Sequence, residues 1–206
     1  PSITSGALAG VSKPTVSGSA DPGVTVNVYR GGVLVGTATA DSTGNWSFTF
    51  PTNLADGTYA ITAKSINNGN LSAVSNTLNL IVDTQPPIAP VITQLSTPTQ
   101  QTLPTISGTA PAGLQVILYQ GATQIATTTA DGTGAWGVTL VNALTEGVYS
   151  WTATSISLTG ISSSLSSAMS VVVDTTSPPT PVITTSNGAV RNRTPSLAGT
   201  AEANSL

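Results

Sequence analysis

The chain has 206 residues and a net charge of −3, and only 6% of its residues are charged. Its five basic residues are too few and too scattered to neutralise phosphates, so we expect no nucleic-acid partner. The absence of cysteine and histidine excludes disulfides, thiolate and imidazole metal ligands and the usual general base, which argues against an enzyme. No apolar stretch approaches the roughly 20 residues of a membrane helix, so we expect no membrane insertion of this segment.

The sequence repeats itself. The segment PTVSGSADPG at Pro14 returns 90 residues later as PTISGTAPAG at Pro104, and a truncated third copy follows. A one-residue insertion late in the second copy then shifts Asp83 onto Asp174. We interpret the chain as part of a longer array. The predicted domains are repeat 1 at residues 1–89, repeat 2 at 90–180 and the start of a third repeat at 181–206.

Apolar and polar residues alternate along each copy, which predicts strands with one buried and one solvent-facing side. The alternating apolar residues of repeat 1 are Val24, Val26, Val28, Trp46, Phe48, Phe50, Tyr59, Ile61, Ala63, Leu78, Leu80 and Val82. No segment shows helical periodicity over ten residues. About seven short strands in roughly 90 residues, separated by frequent turn signals, are typical of an immunoglobulin-like sandwich. We therefore predict an all-β chain of tandem immunoglobulin-like β-sandwiches in an extended array.

Single aspartates begin the turn sequences ADSTGNW and ADGTGAW. Asp41 and Asp131 are expected to accept hydrogen bonds from the backbone two residues on, in β-hairpins where Gly44 and Gly134 adopt a positive φ. A calcium loop would need alternating carboxylates, and each of these turns has only one.

Asp56 and Glu146 occupy equivalent positions before GT and GV. A glycosidase would need two carboxyl groups a few ångströms apart, and each copy supplies only one here. We interpret both as turn residues.

Proline-rich segments separate the copies. They are DTQPPIAP at residues 83–90 and DTTSPPTP at residues 174–181. Paired prolines favour extended, semi-rigid chain, so these linkers are expected to hold the sandwiches in line as a rod.

The order PTVSGSADPG, ADSTGNW, LADGTY and DTQPP resembles the bacterial Ig-like repeats of giant surface adhesins and biofilm-associated proteins, over residues 1–194. This resemblance implies a non-enzymatic spacer that projects a ligand-binding region from the cell, in an extracellular protein at the bacterial surface or secreted. The implied partners are the neighbouring repeats of the same chain, further copies in a fibre, or a ligand on a host or biofilm surface. No cofactor is required.

The resemblance also implies calcium at the repeat junctions, where Asp83 and Asp174 lie. Calcium needs six to eight oxygens, usually from several carboxylates. The loop expected opposite these residues has Pro111 in the second copy and Glu202 in the third, so only the second junction offers a second carboxylate. Two interpretations remain open at this point: calcium ligands, or aspartates that start a turn.

The aromatic residues divide into two groups. Trp46, Trp136, Tyr59 and Tyr149 recur at one offset with core parity, so we expect them to pack in the cores, with the tyrosines as candidates for a tyrosine corner. Tyr29 and Tyr119 have the opposite parity and are the candidates for contact with a partner. They support the alternative function, an immunoglobulin-like module that itself binds a glycan or protein receptor.

Overall fold

The structure, a computed structural model, describes residues 1–185, 188, 191, 194 and 196–203. Over these residues the secondary structure consists of strands alone. In the same part of the chain there is accordingly no helix that could cross a membrane. The predicted all-β fold class is confirmed.

Repeat 1 folds into two sheets. Its strands are β1 (Ser2–Ser5), β2 (Leu8–Ala9), β3 (Thr15–Ser19), β4 (Thr25–Arg30), β5 (Val33–Thr39), β6 (Asn45–Thr49), β7 (Gly57–Asn67), β8 (Asn70–Leu71) and β9 (Leu78–Val82). The small sheet has the order β1-β3-β6, and the large sheet has the order β2-β9-β7-β4-β5 with β8 paired to β7. Between β1 and β2 the chain passes from the small sheet to the large one, and Gly6, with a φ of 100°, provides the bend.

Repeat 2 has the same plan. Its strands are β10 (Val91–Ile92), β11 (Thr105–Thr109), β12 (Gln115–Gln120), β13 (Thr123–Thr129), β14 (Ala135–Thr139), β15 (Gly147–Ile156) and β16 (Met169–Val173). The small sheet has the order β10-β11-β14 and the large sheet the order β13-β12-β15-β16. The third copy contributes β17 (Val182–Ile183) and β18 (Gly199–Thr200), which pair with each other. Other parts of that copy, including residues 204–206, lie outside the described residues.

Each repeat has its own hydrophobic core between its two sheets. The alternating residues predicted from the sequence lie in the core of repeat 1, either fully buried or packed against it. Trp46 and Trp136 expose only 2% and 5% of their surface, each in its own repeat. Their predicted burial is confirmed.

Tyr59 is half-buried at the margin of its core, and its hydroxyl donates a hydrogen bond to the backbone oxygen of Ala55 at 2.8 Å. The hydroxyl of Tyr149 donates in the same way to the oxygen of Thr145 at 3.1 Å. A tyrosine bonded to backbone a few residues upstream is the tyrosine corner of immunoglobulin-like sandwiches, so this expectation is confirmed as well.

The turn at Asp41 has the expected chemistry but joins different strands. Its Oδ1 accepts hydrogen bonds from the backbone N–H groups of Thr43 and Asn45, at 2.8 and 2.9 Å, and Gly44 has a φ of 86°. However, β5 and β6 belong to different sheets, and β6 pairs with β3. The prediction of a β-hairpin was therefore wrong, because local turn chemistry reverses the chain without selecting the strand with which the next one pairs. The same correction applies to Asp131.

Asn27 also differs from the expected alternation. The pattern places it on the solvent-facing side of β4, yet only 8% of its surface is exposed. Strand β4 lies between β5 and β7, so the side chains of both neighbours surround this position. The Asn27 amide donates a hydrogen bond to the hydroxyl of Tyr29 at 3.3 Å.

Candidate functional site at the joint between the repeats

Repeat 2 is two residues longer than repeat 1: one extra residue lies between β10 and β11, and the other lies in the loop after β15. In repeat 1 the backbone N–H of Ser65 donates to Oγ of Ser72, and in repeat 2 the N–H of Ser155 donates to Oγ of Ser163. The offset between the copies therefore changes from 90 to 91 residues within this short stretch. The loop at residues 157–161 is also the part of repeat 2 that reaches the end of repeat 1. We call it the joint loop.

The joint loop is held closed by its own hydrogen bonds. The N–H of Ser157 donates to the oxygen of Ile161 at 2.8 Å, and the N–H of Gly160 donates to the oxygen of Ser157 at 3.0 Å. Oγ of Ser157 accepts from the N–H of Ile161 at 3.0 Å and is 2.8 Å from Oγ1 of Thr159. These hydrogen bonds within the loop support the position of Thr159 against repeat 1.

Thr159 contacts repeat 1 through both its side chain and its backbone. Its hydroxyl donates a hydrogen bond to the backbone oxygen of Asp83, at the end of repeat 1, at 3.0 Å. Its backbone oxygen faces Gly10, and a Cβ atom built on Gly10 would lie 2.7 Å from that oxygen and 3.1 Å from Cγ1 of Ile161. The first distance is shorter than real Cβ contacts allow, so the two repeats approach this closely because residue 10 is glycine.

A second contact holds the linker to repeat 2. The hydroxyl of Ser155 donates to the backbone oxygen of Ile88 at 2.8 Å, and Ser155 is completely buried. The equivalent Ser65 in repeat 1 is only half-buried. The linker is thus bonded to repeat 2 at both Asp83 and Ile88, and a rotation of repeat 1 relative to repeat 2 would break the hydrogen bond at Asp83.

An apolar groove of about 460 Å³ runs along the joint. Its apolar walls come from the end of repeat 1, the proline-rich linker and the facing loops of repeat 2: Leu8, Ile81, Pro86, Pro87, Ile88, Pro111, Leu114 and Leu158. The joint therefore combines two hydrogen bonds with apolar surfaces of both repeats, and the groove remains between these surfaces.

One carboxylate holds the start of each linker. Oδ1 of Asp56 accepts hydrogen bonds from the N–H and the hydroxyl of Thr84, at 2.9 and 2.8 Å, and these bonds hold the pKa of Asp56 below its usual value. In repeat 2, Oε1 of Glu146 accepts from the hydroxyls of Thr176 and Thr175, which lowers the pKa of Glu146. Sequence reasoning treated Asp56 and Glu146 only as turn residues. The available signal was that both copies place a carboxylate at this position.

The proposed calcium residues form turns at the strand ends. Oδ1 of Asp83 accepts a hydrogen bond from the N–H of Gln85 at 3.1 Å, and Oδ1 of Asp174 accepts from the N–H of Thr176 at 3.0 Å. Glu202 is exposed. Within the described ranges, no three Asp, Glu, His or Cys side chains come together to hold a metal ion. These carboxylates fit calcium poorly, since calcium favours six to eight oxygens including several carboxylates. Calcium binding stays a prediction.

Pro111 lines the same groove as Asp83, as expected from the sequence for the loop opposite the first junction. The residues of the joint that the sequence did not reveal are Gly10, Ser155 and Thr159. No pattern in the sequence marked them, except that one of the two insertions in repeat 2 falls in the joint loop.

The two candidate tyrosines for a partner lie at equivalent places in the two large sheets. Tyr29 in β4 and Tyr119 in β12 are both half-buried, one in each repeat. The hydroxyl of Tyr29 already accepts the hydrogen bond from Asn27. Their contact with a partner stays a prediction.

Two immunoglobulin-like β-sandwiches in tandem, joined by a proline-rich linker, define the class of this protein. The sequence profile of the bacterial Ig-like domain matches residues 4–84 and 93–175. The chain belongs to the bacterial Ig-like domain family, which confirms the resemblance inferred from the repeats.

A solved structure with a TM-score above 0.5 has the same fold. The fibronectin(III)-like modules of Clostridium thermocellum CbhA are similar with a TM-score of 0.54 and 16% identity, over 84% of this chain and 90% of that one. The BSP domain of a biofilm associated protein is 26% identical, with a TM-score of 0.35, over 85% of this chain and 30% of that one. A tetra-tandem repeat from the extending region of a large adhesion protein is 21% identical, with a TM-score of 0.39, over 89% and 50%. A comparison with curated proteins found no match.

Proposed function

We propose that this chain is a non-enzymatic spacer segment of a large bacterial adhesin, at the cell surface or secreted, in which neighbouring repeats of the same chain are the principal partners. Membership in the bacterial Ig-like domain family supports this proposal. The identity shared with the BSP domain of a biofilm associated protein and with the tandem repeat of a large adhesion protein agrees with it. In such a protein the segment sets the distance between the cell and a ligand-binding region.

The joint is the observation that carries the proposal. A spacer has to keep its domains in line, and here Thr159 is bonded to the end of repeat 1 while its backbone abuts Gly10. The prolines of the linker restrict φ, so fewer bent conformations are available to the chain between these contacts. Together they oppose bending between the sandwiches.

The similarity of the two copies favours a spacer over a receptor-binding module. A binding domain usually carries a loop that its neighbours lack. Here the copies differ in loop length by only two single residues, and one of these lies in the joint loop, where it contributes to the contact between repeats rather than to an open surface.

Small-angle scattering and NMR relaxation test the proposal. A compact globule of 206 residues would have a radius of gyration of about 17 Å, and we expect scattering to give a clearly larger value. NMR relaxation should show that both repeats share one rotational diffusion tensor. A value near 17 Å, or repeats that tumble independently, would overturn the spacer proposal.

Variants of the joint sharpen the test. Gly10→Ala places a methyl group against Thr159 and is expected to uncouple the tumbling of the repeats, and Thr159→Val removes the hydrogen bond to Asp83 with little change in volume. Gly132→Ala is the matched control, because a Cβ atom at Gly132 meets nothing within 4 Å. If Gly10→Ala behaves like Gly132→Ala, the joint does not align the repeats.

A further inference from the structure

A pocket of about 140 Å³ opens between the two sheets of repeat 2, next to the edge strands β13 and β14. Ile125 and Ala126 of β13 form one wall, and Val138 of β14 and Leu140 form the other, with Leu144 nearby. No charged side chain lines the pocket. An apolar space of this size is close to the engineered cavity of about 150 Å³ that binds benzene in another protein.

Repeat 1 fills the equivalent space with its own aromatic rings. Phe48 and Phe50 correspond to Val138 and Leu140, and their rings pack edge to face with centroids 5.3 Å apart. They expose only 8% and 2% of their surfaces, whereas Val138 and Leu140 remain half-buried. The first copy thus shows which chemical group this space accommodates.

The ring of Phe48 needs a glycine opposite it. A Cβ atom built on Gly36 would lie 2.4 Å from Cε2 and 2.8 Å from Cζ of Phe48. Repeat 2 has Ala126 at the position of Gly36 and Val138 at the position of Phe48. Repeat 2 therefore pairs an alanine with the smaller valine. Part of the volume that the ring of Phe48 fills in repeat 1 stays unfilled in repeat 2.

The aromatic residue that repeat 2 has gained lies on the other sheet. Trp151 replaces Ile61, is completely buried and stacks on Tyr149 with ring centroids 5.9 Å apart. Trp151 does not line the pocket at the β13–β14 edge. Compared with repeat 1, repeat 2 thus has its additional aromatic ring on the large sheet, and the space beside the edge of the small sheet stays open.

We propose that this pocket is a binding site for an uncharged molecule or group that carries a single benzene ring. No charged side chain is available to pair with a charged ligand, and the volume suits one ring. The exposed side chains of Gln120 and Asn142 also line the pocket and offer hydrogen bonds to a neutral substituent. Repeat 1 has no equivalent site because Phe48 occupies it. This site is independent of the spacer role.

Methyl NMR of the whole chain tests the site with benzyl alcohol as the probe for a free ring and N-acetylphenylalanine amide as the probe for a phenylalanine side chain. We expect saturable shifts at the methyl groups of Val138, Leu140 and Leu144. The equivalent region of repeat 1, reported by Leu54, is the internal control and should not respond. Saturation by either probe supports the site, and the probe that binds identifies the source of the ring.

The double variant Ala126→Gly with Val138→Phe recreates the pair found in repeat 1 and should fill the pocket. We expect it to abolish the saturable shifts while the fold is retained. If it does not fold, Leu140→Phe serves the same purpose from the neighbouring position. The absence of saturable shifts in the wild type with both probes, equal shifts in the two repeats, or unchanged binding in the folded, filled variant would overturn the proposal.

Discussion

Phe48 in β6 packs its ring against the backbone of Gly36 in β5 and so connects the two sheets of repeat 1 at their open edge. The pair is exchanged as a unit between the copies, since repeat 2 has Val138 with Ala126. A larger residue on one strand is accompanied by a smaller one on the other. The two positions therefore compensate each other in volume.

This compensation predicts coupling in a double-mutant cycle. Gly36→Ala forces a methyl group into the ring of Phe48 and should lower the stability of repeat 1 by about 1–3 kcal/mol. Adding Phe48→Val relieves the overlap, so the two changes should be non-additive by at least about 0.5 kcal/mol. Urea unfolding followed by NMR signals of each repeat measures both values. Gly137→Ala is the control, because its Cβ would meet only ordinary contacts at 3.8 Å or more; strict additivity of the pair would contradict the prediction.

The two tryptophans of the small sheets should stabilise their own repeats alone. Trp46 is 2% exposed and belongs to the core of repeat 1, so Trp46→Ala is expected to cost that sandwich about 3–5 kcal/mol. Repeat 2 should unfold at its original urea concentration, and Trp136→Ala should give the reverse pattern. Loss of both transitions in either variant would show that the repeats fold as one cooperative unit.

Acid should weaken both sandwiches. Hydrogen bonds from Thr43 and Asn45 lower the pKa of Asp41, and the same kind of bonds from Thr133 and Ala135 lower the pKa of Asp131. A carboxyl group whose pKa falls on folding contributes stability above its unfolded pKa and loses it as the pH drops through the folded pKa. We therefore expect urea midpoints to be constant near neutral pH and to decrease below about pH 4.

Substitutions of the two turn aspartates distinguish their contribution to the acid dependence from that of the other acidic residues. Asp41→Asn should reduce the acid dependence of repeat 1, leaving the part that Asp56 contributes, while repeat 2 keeps its own; Asp131→Asn should do the converse. Midpoints measured from about pH 2 to pH 7 make the comparison. An unchanged acid profile in both variants would rule out the turn aspartates as its source.

Calcium should have little effect on the individual sandwiches. At the first junction Asp83 meets a loop that carries Pro111, whereas the corresponding position in the third copy is Glu202. Any ordered calcium is therefore expected near Asp174 rather than Asp83. Calorimetry with and without EGTA measures this, and a fall in melting temperature of more than about 10 °C on chelation would show that calcium is structural.

Much of each sandwich follows from the sequence by itself. The alternation around Val26 and Trp46 correctly predicts which side chains are buried, and the turn at Asp41 has the hydrogen bonds expected of its residues. Both properties are local, because a strand's two faces and a short turn depend on residues only a few positions apart. Repetition at 90 residues then extends the prediction from one copy to the next.

Only the tertiary structure decided which distant segments meet. It placed β6 beside β3 instead of β5, set Gly36 under Phe48, and brought Thr159 to Gly10 across 149 positions of the chain. Such contacts depend on how sheets pair and how the linker directs the second sandwich, which no local pattern encodes. A glycine needed for close approach has the same sequence signature as one in a loop. Its partner becomes visible only when the backbones are in place.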